Sequence, residues 1–250
     1  MWFDLPKPAV IAHRGDSLHA PENTLAAFET AYRRGAEAIE FDVKLTADGQ
    51  VVMIHDQTVD RTTDGTGRVT KKSLAELRRL DAGSHFSEKF RGEHIPTLDE
   101  VFGELGQKLF MNLELSNYYT PFDGLVPAVV GLVRKHRMQE RIIFSSFFAS
   151  NLVLAHRFLP DVPCGLLTFR GRLGAWGRKY GWRRKTYAAL HPFVTDVDTG
   201  LVERVHSAGK QYNVWTVNAA ADLQRLIDLG VDGLITDDPG LACSLLGRMK

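Results

Sequence analysis

Nine short apolar runs recur along this 250-residue chain, and helical patterns regularly fall between them. The runs cover residues 9–12, 38–43, 51–55, 109–115, 142–147, 164–168, 193–197, 212–217 and 233–236. Residues 23–34 place Leu25, Phe28 and Tyr32 on one helical face and stop at Gly35. Residues 97–105 carry Leu98, Val101, Phe102 and Leu105 at the same spacing. Residues 122–137, 201–208 and 220–229 read similarly, with Gly209 and Gly230 where C-caps are expected. Strands that alternate with helices imply a parallel sheet with crossover helices.

One run must be discounted before the sheet can close. Residues 43–46 and 51–55 are joined by Ala47-Asp48-Gly49-Gln50. Asp-Gly between extended runs signals a hairpin, and so short a link cannot hold a crossover helix. Residues 51–55 should therefore run back, antiparallel, with positions near 54 facing positions near 42. Eight parallel strands then remain, in a chain of the usual size for a (β/α)₈ TIM barrel. We expect one such α/β domain over residues 1–250. Residues 57–96 break its rhythm: they are rich in Thr, Gly, Arg and Asp, with one short helical stretch at 73–80. We read them as a small insertion over the barrel mouth, after the second barrel strand.

Composition narrows the function classes. Lys and Arg total 31 against 30 Asp and Glu, so nothing argues for a nucleic-acid partner. Cys164 and Cys243 are far apart and suit two reduced thiols in packed elements. The first eight residues lack a signal-peptide pattern, and no apolar run reaches the roughly 20 residues a membrane span needs. The expectation is a soluble cytoplasmic protein.

The residues able to do chemistry gather at strand ends. In a strand, residues two apart share a face, so Glu40 and Asp42 point together, as do Asn112 and Glu114. Ionised carboxylates in a barrel mouth are costly unless paired or bound to a cation. Ion pairs with Arg14 or Lys44 would suffice for any one acid. For Glu40, Asp42 and Glu114 together we read one divalent cation, Mg²⁺ or Ca²⁺, as hard oxygen ligands prefer. His13 and His55 each end an apolar run and flank these acids. A lone strand-end histidine is usually structural. A pair beside an acidic cluster suits phosphoester cleavage, one imidazole deprotonating the attacking oxygen and the other protonating the leaving one. Arg14 offers a fork for phosphate oxygens, its plain alternative being a surface ion pair. In Pro21-Glu22-Asn23-Thr24, Asn23 or Thr24 reads as a helix cap, a mainly structural role whose alternative is contact with the metal or substrate at the mouth of strand one. Trp215 suits pocket lining over core filling. Asp238-Pro239 reads as a turn and helix start.

These motifs resemble the glycerophosphodiester phosphodiesterase family. The resemblance rests on His13-Arg14-Gly15, Pro21-Glu22-Asn23-Thr24, Glu40-Phe41-Asp42-Val43, Thr46-Ala47-Asp48-Gly49, Val52-Met53-Ile54-His55-Asp56, Arg61-Thr62-Thr63, Ile95-Pro96-Thr97-Leu98 and Glu114. Late in the chain it adds Val214-Trp215-Thr216-Val217-Asn218 and Gly233-Leu234-Ile235-Thr236-Asp237-Asp238-Pro239. No one tetrapeptide is specific; the ordered set is. The resemblance implies a (β/α)₈ barrel, a divalent metal on Glu40, Asp42 and Glu114, and His13 and His55 as the acid–base pair with Arg14 on the phosphate. It implies hydrolysis of glycerophosphodiesters to sn-glycerol 3-phosphate and an alcohol, through attack by the glycerol 2-hydroxyl and a cyclic phosphate. The sequence departs from the pattern at Ser116, where many members carry a lysine. We expect Lys44, on the face of Asp42, or a residue of the insertion, to supply the missing charge.

Residues 170–185 hold seven basic residues and no acid, interleaved with Trp176, Tyr180 and Trp182. Such a patch can lie on an anionic lipid surface or grip an anionic substrate. The plain alternative is a solvated helix with its aromatics packed inward. Two further activities therefore stand beside the first: a lysophospholipase D with residues 170–185 as a membrane foot, and a barrel that binds a phosphate ligand without turning it over.

Overall fold

The computed structural model describes residues 1–248. Among them nine strands form one sheet: β1 (Ala9–His13), β2 (Ala38–Leu45), β3 (Val51–Met53), β4 (Phe110–Leu115), β5 (Ile142–Ser146), β6 (Cys164–Leu167), β7 (Ala189–His191), β8 (Gln211–Val214) and β9 (Gly233–Thr236). Eight are parallel, and β1 pairs with both β2 and β9, which closes the ring. The helices are α1 (Leu25–Arg33), α2 (Leu74–Leu77), α3 (Leu98–Leu105), α4 (Leu125–Lys135), α5 (Ala149–Phe158), α6 (Ala175–Lys179), α7 (Thr199–Ser207), α8 (Ala220–Asp228) and α9 (Pro239–Leu245). The fold is a TIM barrel, as the alternation of runs implies.

The ninth strand is the hairpin arm. β3 pairs antiparallel with β2 in the register Val43 to Met53 and Leu45 to Val51, and Ile54 N–H donates to Asp42 O at 3.1 Å. Gly49 takes φ +74°, the left-handed region that the Asp-Gly turn needs. On β2, Ile39, Phe41 and Val43 join the apolar layer beneath the helices, where the Phe28 ring of α1 lies 5.6 Å from Phe41. The alternate residues Glu40, Asp42 and Lys44 are thereby turned into the barrel. At the opposite end Trp2 packs on Ala9, Ile11 and Ala38 and donates its indole N–H to Gln211 Oε1 at 3.0 Å.

Caps fix where helices start. Thr24 Oγ1 accepts from Ala27 N–H, and Thr97 and Ser73 form capping boxes with Glu100 and Glu76. Asp238 caps α9 with Pro239 in its first turn. Each such cap stabilises by about 1 kcal/mol.

Three expectations need correction. The sixth barrel strand, β7, is Ala189–His191, not residues 193–197. Pro192 has no N–H to continue the ladder, so Phe193 makes one isolated bridge to Trp215 and Val194–Asp196 turn into a 3₁₀ helix. α5 lies in a stretch not assigned as helix, because Val153 and Phe158 are solvent-exposed and blur its apolar stripe. The segment between β3 and α3 contains α2 together with 3₁₀ turns at Val69–Lys71 and Glu88–Phe90, not one short helix. Those pieces gather Ile54, Val59, Val69, Leu77 and Ile95 into an apolar cluster of their own.

Candidate active site

Two adjacent barrel strands bring the acids together. β2 and β4 pair with Glu40 opposite Asn112 and Asp42 opposite Glu114. One carboxylate oxygen each from Glu40, Asp42 and Glu114 falls within 4.8 Å of the others. Burial pushes Glu40 well above the usual carboxylate range, and the Asp42 and Glu114 charges add to the shift. Glu114 is pushed up to about 8 by burial and by Asp42, against a hydrogen bond from Tyr118 Oη at 2.8 Å. Burial alone would raise Asp42 too, but Arg14, His55 and Lys44 hold it below its ordinary value. Beside the acids, both polar side-chain atoms of Asn112 are buried without a hydrogen-bond partner among the described residues. An oxygen-rich, under-neutralised pocket of this kind fits a hard cation.

Each imidazole is fixed by its own carboxylate. His13, at the end of β1, places Nδ1 2.6 Å from Asp237 Oδ1 and Nε2 3.9 Å from Glu40 Oε2. His55 lies just beyond β3, with Nδ1 2.7 Å from Asp56 Oδ1. The hydrogen bonds from Arg61 pull Asp56 down to about 2. Burial works against Asp237, yet the bond from His13 brings it below its ordinary value. Ionised carboxylates only accept, so Nδ1 carries a proton in both rings and Nε2 is the atom left to exchange one.

Arg61 ties the second histidine to the first strand. Its Nε donates to Asp56 at 2.7 Å and its two terminal nitrogens to Glu22 at 2.7 and 2.8 Å. Glu22 also accepts from Arg14 at 3.0 Å. Arg14 takes φ +57° and the next residue, Gly15, +85°. A Cβ at Gly15 would meet Ala27 at 2.7 Å, so only glycine lets the chain pass under α1 here. That turn lays Arg14 inward, with Nε 3.5 Å from Asp42, so it is not a surface ion pair.

Lys44 is buried, and its ammonium donates to the backbone oxygen and Oγ of Ser116 at 2.9 and 2.8 Å. The side chain of the departing position is thus directly under the cation expected to replace it. Trp215 donates to His191 O at 2.9 Å and shares a cavity wall with His13, Glu40, Asn112 and Glu114. An adjoining cavity of about 690 Å³ is lined by Asp42, Lys44, His55, Glu114 and Ser116, together with Phe147 and Phe169. Glu114 borders both, so every residue expected at the site except Arg14 lines one of the two spaces. Thr24 is the helix cap, while Asn23 turns its Nδ2 to 3.5 Å from Asp42.

Sequence reasoning missed Asp237, Asp56, Glu22, Arg61 and Tyr118 as supporting residues. Asp56, adjacent to His55, and Asp237, directly after the last strand, carried a local signal; the others did not. In residues 170–185, Trp182 is buried, but Trp176 and Tyr180 are exposed, so the aromatics do not all pack inward. Among the described residues no helix is long and apolar enough to cross a membrane.

Residues 13–241 match the glycerophosphoryl diester phosphodiesterase family model. The chain belongs to this family. It is 43% identical over 243 residues to a glycerophosphodiester phosphodiesterase of Caldanaerobacter subterraneus subsp. tengcongensis, covering 97% of this chain and 99% of that protein. A glycerophosphodiester phosphodiesterase of Bacillus subtilis is 32% identical, with 92% of this chain and 84% of that protein covered. Among solved structures, an Oleispira antarctica phosphodiesterase in complex with the product sn-glycerol-3-phosphate superimposes with a TM-score of 0.87. It shares 35% identity and covers 96% of this chain and 97% of its own.

Proposed function

We propose that this enzyme hydrolyses glycerophosphodiesters to sn-glycerol 3-phosphate and an alcohol, with His13 and His55 as its acid–base pair and a divalent cation held by Glu40, Asp42 and Glu114. The observation that carries the reading is the pair of carboxylate-anchored imidazoles beside one triad of converging acids. The product bound in the Oleispira antarctica relative supports the substrate class.

A Mg²⁺ or Ca²⁺ ion held by Glu40, Asp42 and Glu114 would supply positive charge to the phosphate. Lys44 and Arg14 add charge from the chain itself, and Trp215 walls the glycerol side. Nε2 of one histidine takes the proton of the glycerol 2-hydroxyl as its oxygen bonds to phosphorus. Nε2 of the other gives a proton to the departing alcohol oxygen as that P–O bond breaks. Water then opens the cyclic phosphodiester with the two rings in exchanged roles. Asp237 and Asp56 hold each ring in orientation and stabilise its protonated form. Acid–base help of this kind contributes about 10²–10⁴-fold per group.

The test is release of glycerol 3-phosphate from glycerophosphocholine by purified protein. Turnover should fall on chelation and in His55→Ala, and return with Mg²⁺ or Ca²⁺ in the parent alone. Binding of substrate without turnover in either metal would instead favour a phosphate-binding barrel.

A further inference from the structure

The carboxylate that anchors His55 belongs to a longer row of charges. His55, Asp56, Arg61, Glu22 and Arg14 follow one another in hydrogen-bond contact. Arg61 stands at the centre. Its Nε and one terminal nitrogen donate to the two Asp56 oxygens at 2.7 and 3.2 Å. That same terminal nitrogen and the other one donate to the two Glu22 oxygens at 2.8 and 2.7 Å. Glu22 Oε1 also accepts from Arg14, at 3.0 Å. A rigid planar guanidinium can hold two carboxylates at a fixed angle, which a single ammonium cannot do.

Glu22 is firmly placed. Thr24 Oγ1 donates to Pro21 O at 2.7 Å and Asn23 N–H to Arg14 O at 2.9 Å, so the turn before α1 is locked onto the end of β1. Burial works against the Glu22 carboxylate, yet the bonds from Arg61 and the nearby Arg14 charge bring it below its ordinary value. Arg61 is different, with a side chain 49% exposed. An ion pair so open to water adds little to stability and costs the rotamer freedom of a long side chain. Fold stability is therefore a poor reason for the row, and its two ends are a better one. Arg14 lies 3.5 Å from Asp42 at one end, and His55 is the acid–base group at the other.

We propose that Glu22 and Arg61 are positioning residues that register the His55 ring, through Asp56, to the phosphate-binding guanidinium of Arg14. The inference rests on the function proposed above. β1 and β3 do not pair with each other; both hang on β2. No backbone ladder therefore sets the distance from Arg14 to His55, and the row of side chains spans that gap. Arg14 meets the phosphate while Asp56 holds His55 Nε2 toward the oxygen that gains or loses a proton. No proton moves along the row, because its carboxylates only accept and its guanidiniums stay charged.

The experiment measures turnover of glycerophosphocholine by the metal-loaded enzyme, together with glycerol 3-phosphate affinity and melting temperature. Arg61→Ala should lower kcat by up to about 100-fold, and Glu22→Gln by less, since it keeps one acceptor oxygen. KM and glycerol 3-phosphate affinity should change little. Melting temperatures should stay within about 3 °C of the parent. Combining the two changes should cost little beyond Arg61→Ala alone, because both cut one path. Arg61→Lys should lose as much as Arg61→Ala. Free guanidinium should restore turnover to Arg61→Ala, the position being open to solvent. Losses that multiply in the double variant would overturn the proposal. So would full activity in Arg61→Lys, no rescue by guanidinium, or a KM or melting temperature that worsens in step with kcat. A parent that leaves glycerophosphocholine intact would instead bring down the underlying function.

Discussion

Glu114→Gln should make the metal-free protein more stable at neutral pH while abolishing its stabilisation by a divalent ion. Burial and Asp42 push the Glu114 carboxyl to about 8 against an ordinary 4.5. Between those values the folded chain holds a proton that the unfolded chain has released, so metal-free stability falls as pH rises from 4.5 to 8. At about 1.4 kcal/mol per pH unit, the loss at pH 7 is of order 3 kcal/mol. Gln copies the protonated carboxyl and can still accept from Tyr118, so it escapes that loss. In a chain this long, about 2–4 °C per kcal/mol makes the gain of order 10 °C. The parent should recover as much with a cation: at a hundredfold excess over Kd, binding adds about 2.7 kcal/mol. Thermal melts of both proteins from pH 5 to 8, with chelator or with Mg²⁺ or Ca²⁺, read all these quantities. If Glu114→Gln melted lower than the parent under chelation and kept its metal response, Glu114 would be neither strained nor a ligand.

Asp237→Asn and Asp56→Asn should each lower kcat by roughly tenfold or more with KM little changed, because each anchors an imidazole and stabilises its charged form; steady-state kinetics on glycerophosphocholine decide this. Lys44→Ala should reduce kcat/KM by roughly 10- to 150-fold, the worth of a hydrogen bond to a charged group. The exchange Lys44→Ser with Ser116→Lys should recover most of it, and no recovery would show that the cation does not serve the phosphate. Burial holds His191 at about 3 against an ordinary 6.5, with Asn213 at 3.1 Å as its hydrogen-bond partner. The unfolded chain protonates first, so stability is lost as pH falls from 6.5 toward 3, by about 3 kcal/mol at pH 4. Urea midpoints should drop over that range in the parent and less in His191→Gln.

The barrel and its hairpin were legible because their signals are local. Asp48-Gly49 sits between two extended runs, and the alternation of Ile39, Glu40, Phe41 and Asp42 states which side chains face inward. β7 was hidden because the run after Pro192 looks more apolar than Ala189–His191, while proline's missing N–H decides where pairing stops. The principal residues of the candidate site could be read from strand-end position alone. Their supports could not: Asp237 meets His13 across 224 residues of chain, and Arg61 reaches Glu22 across 39. Such contacts depend on barrel closure and on how the chain beyond β3 returns to Glu22. No spacing rule contains that information.

The contact between Lys44 and Ser116 shows how strand register sets where a buried charge lies. β2 and β4 are neighbours, and their register sets Asp42 beside Glu114 and Val43 beside Leu115. One residue further on, Lys44 comes beside Ser116 on the inward face, and its ammonium lands on Ser116 Oγ. Ser116 Oγ in turn donates to Val43 O at 3.1 Å, which holds the small side chain under the cation. A lysine at 116 would compete for this space and bring a second positive charge into a buried layer. A lysine on one strand therefore favours a small polar residue on the other. A lysine supplied from position 116 instead would put its positive charge at the same height in the barrel, near Asp42 and Glu114. What a phosphate at this mouth would meet is the layer, not the sequence position, and so an exchange across the strand pair should be tolerated where loss of the cation is not.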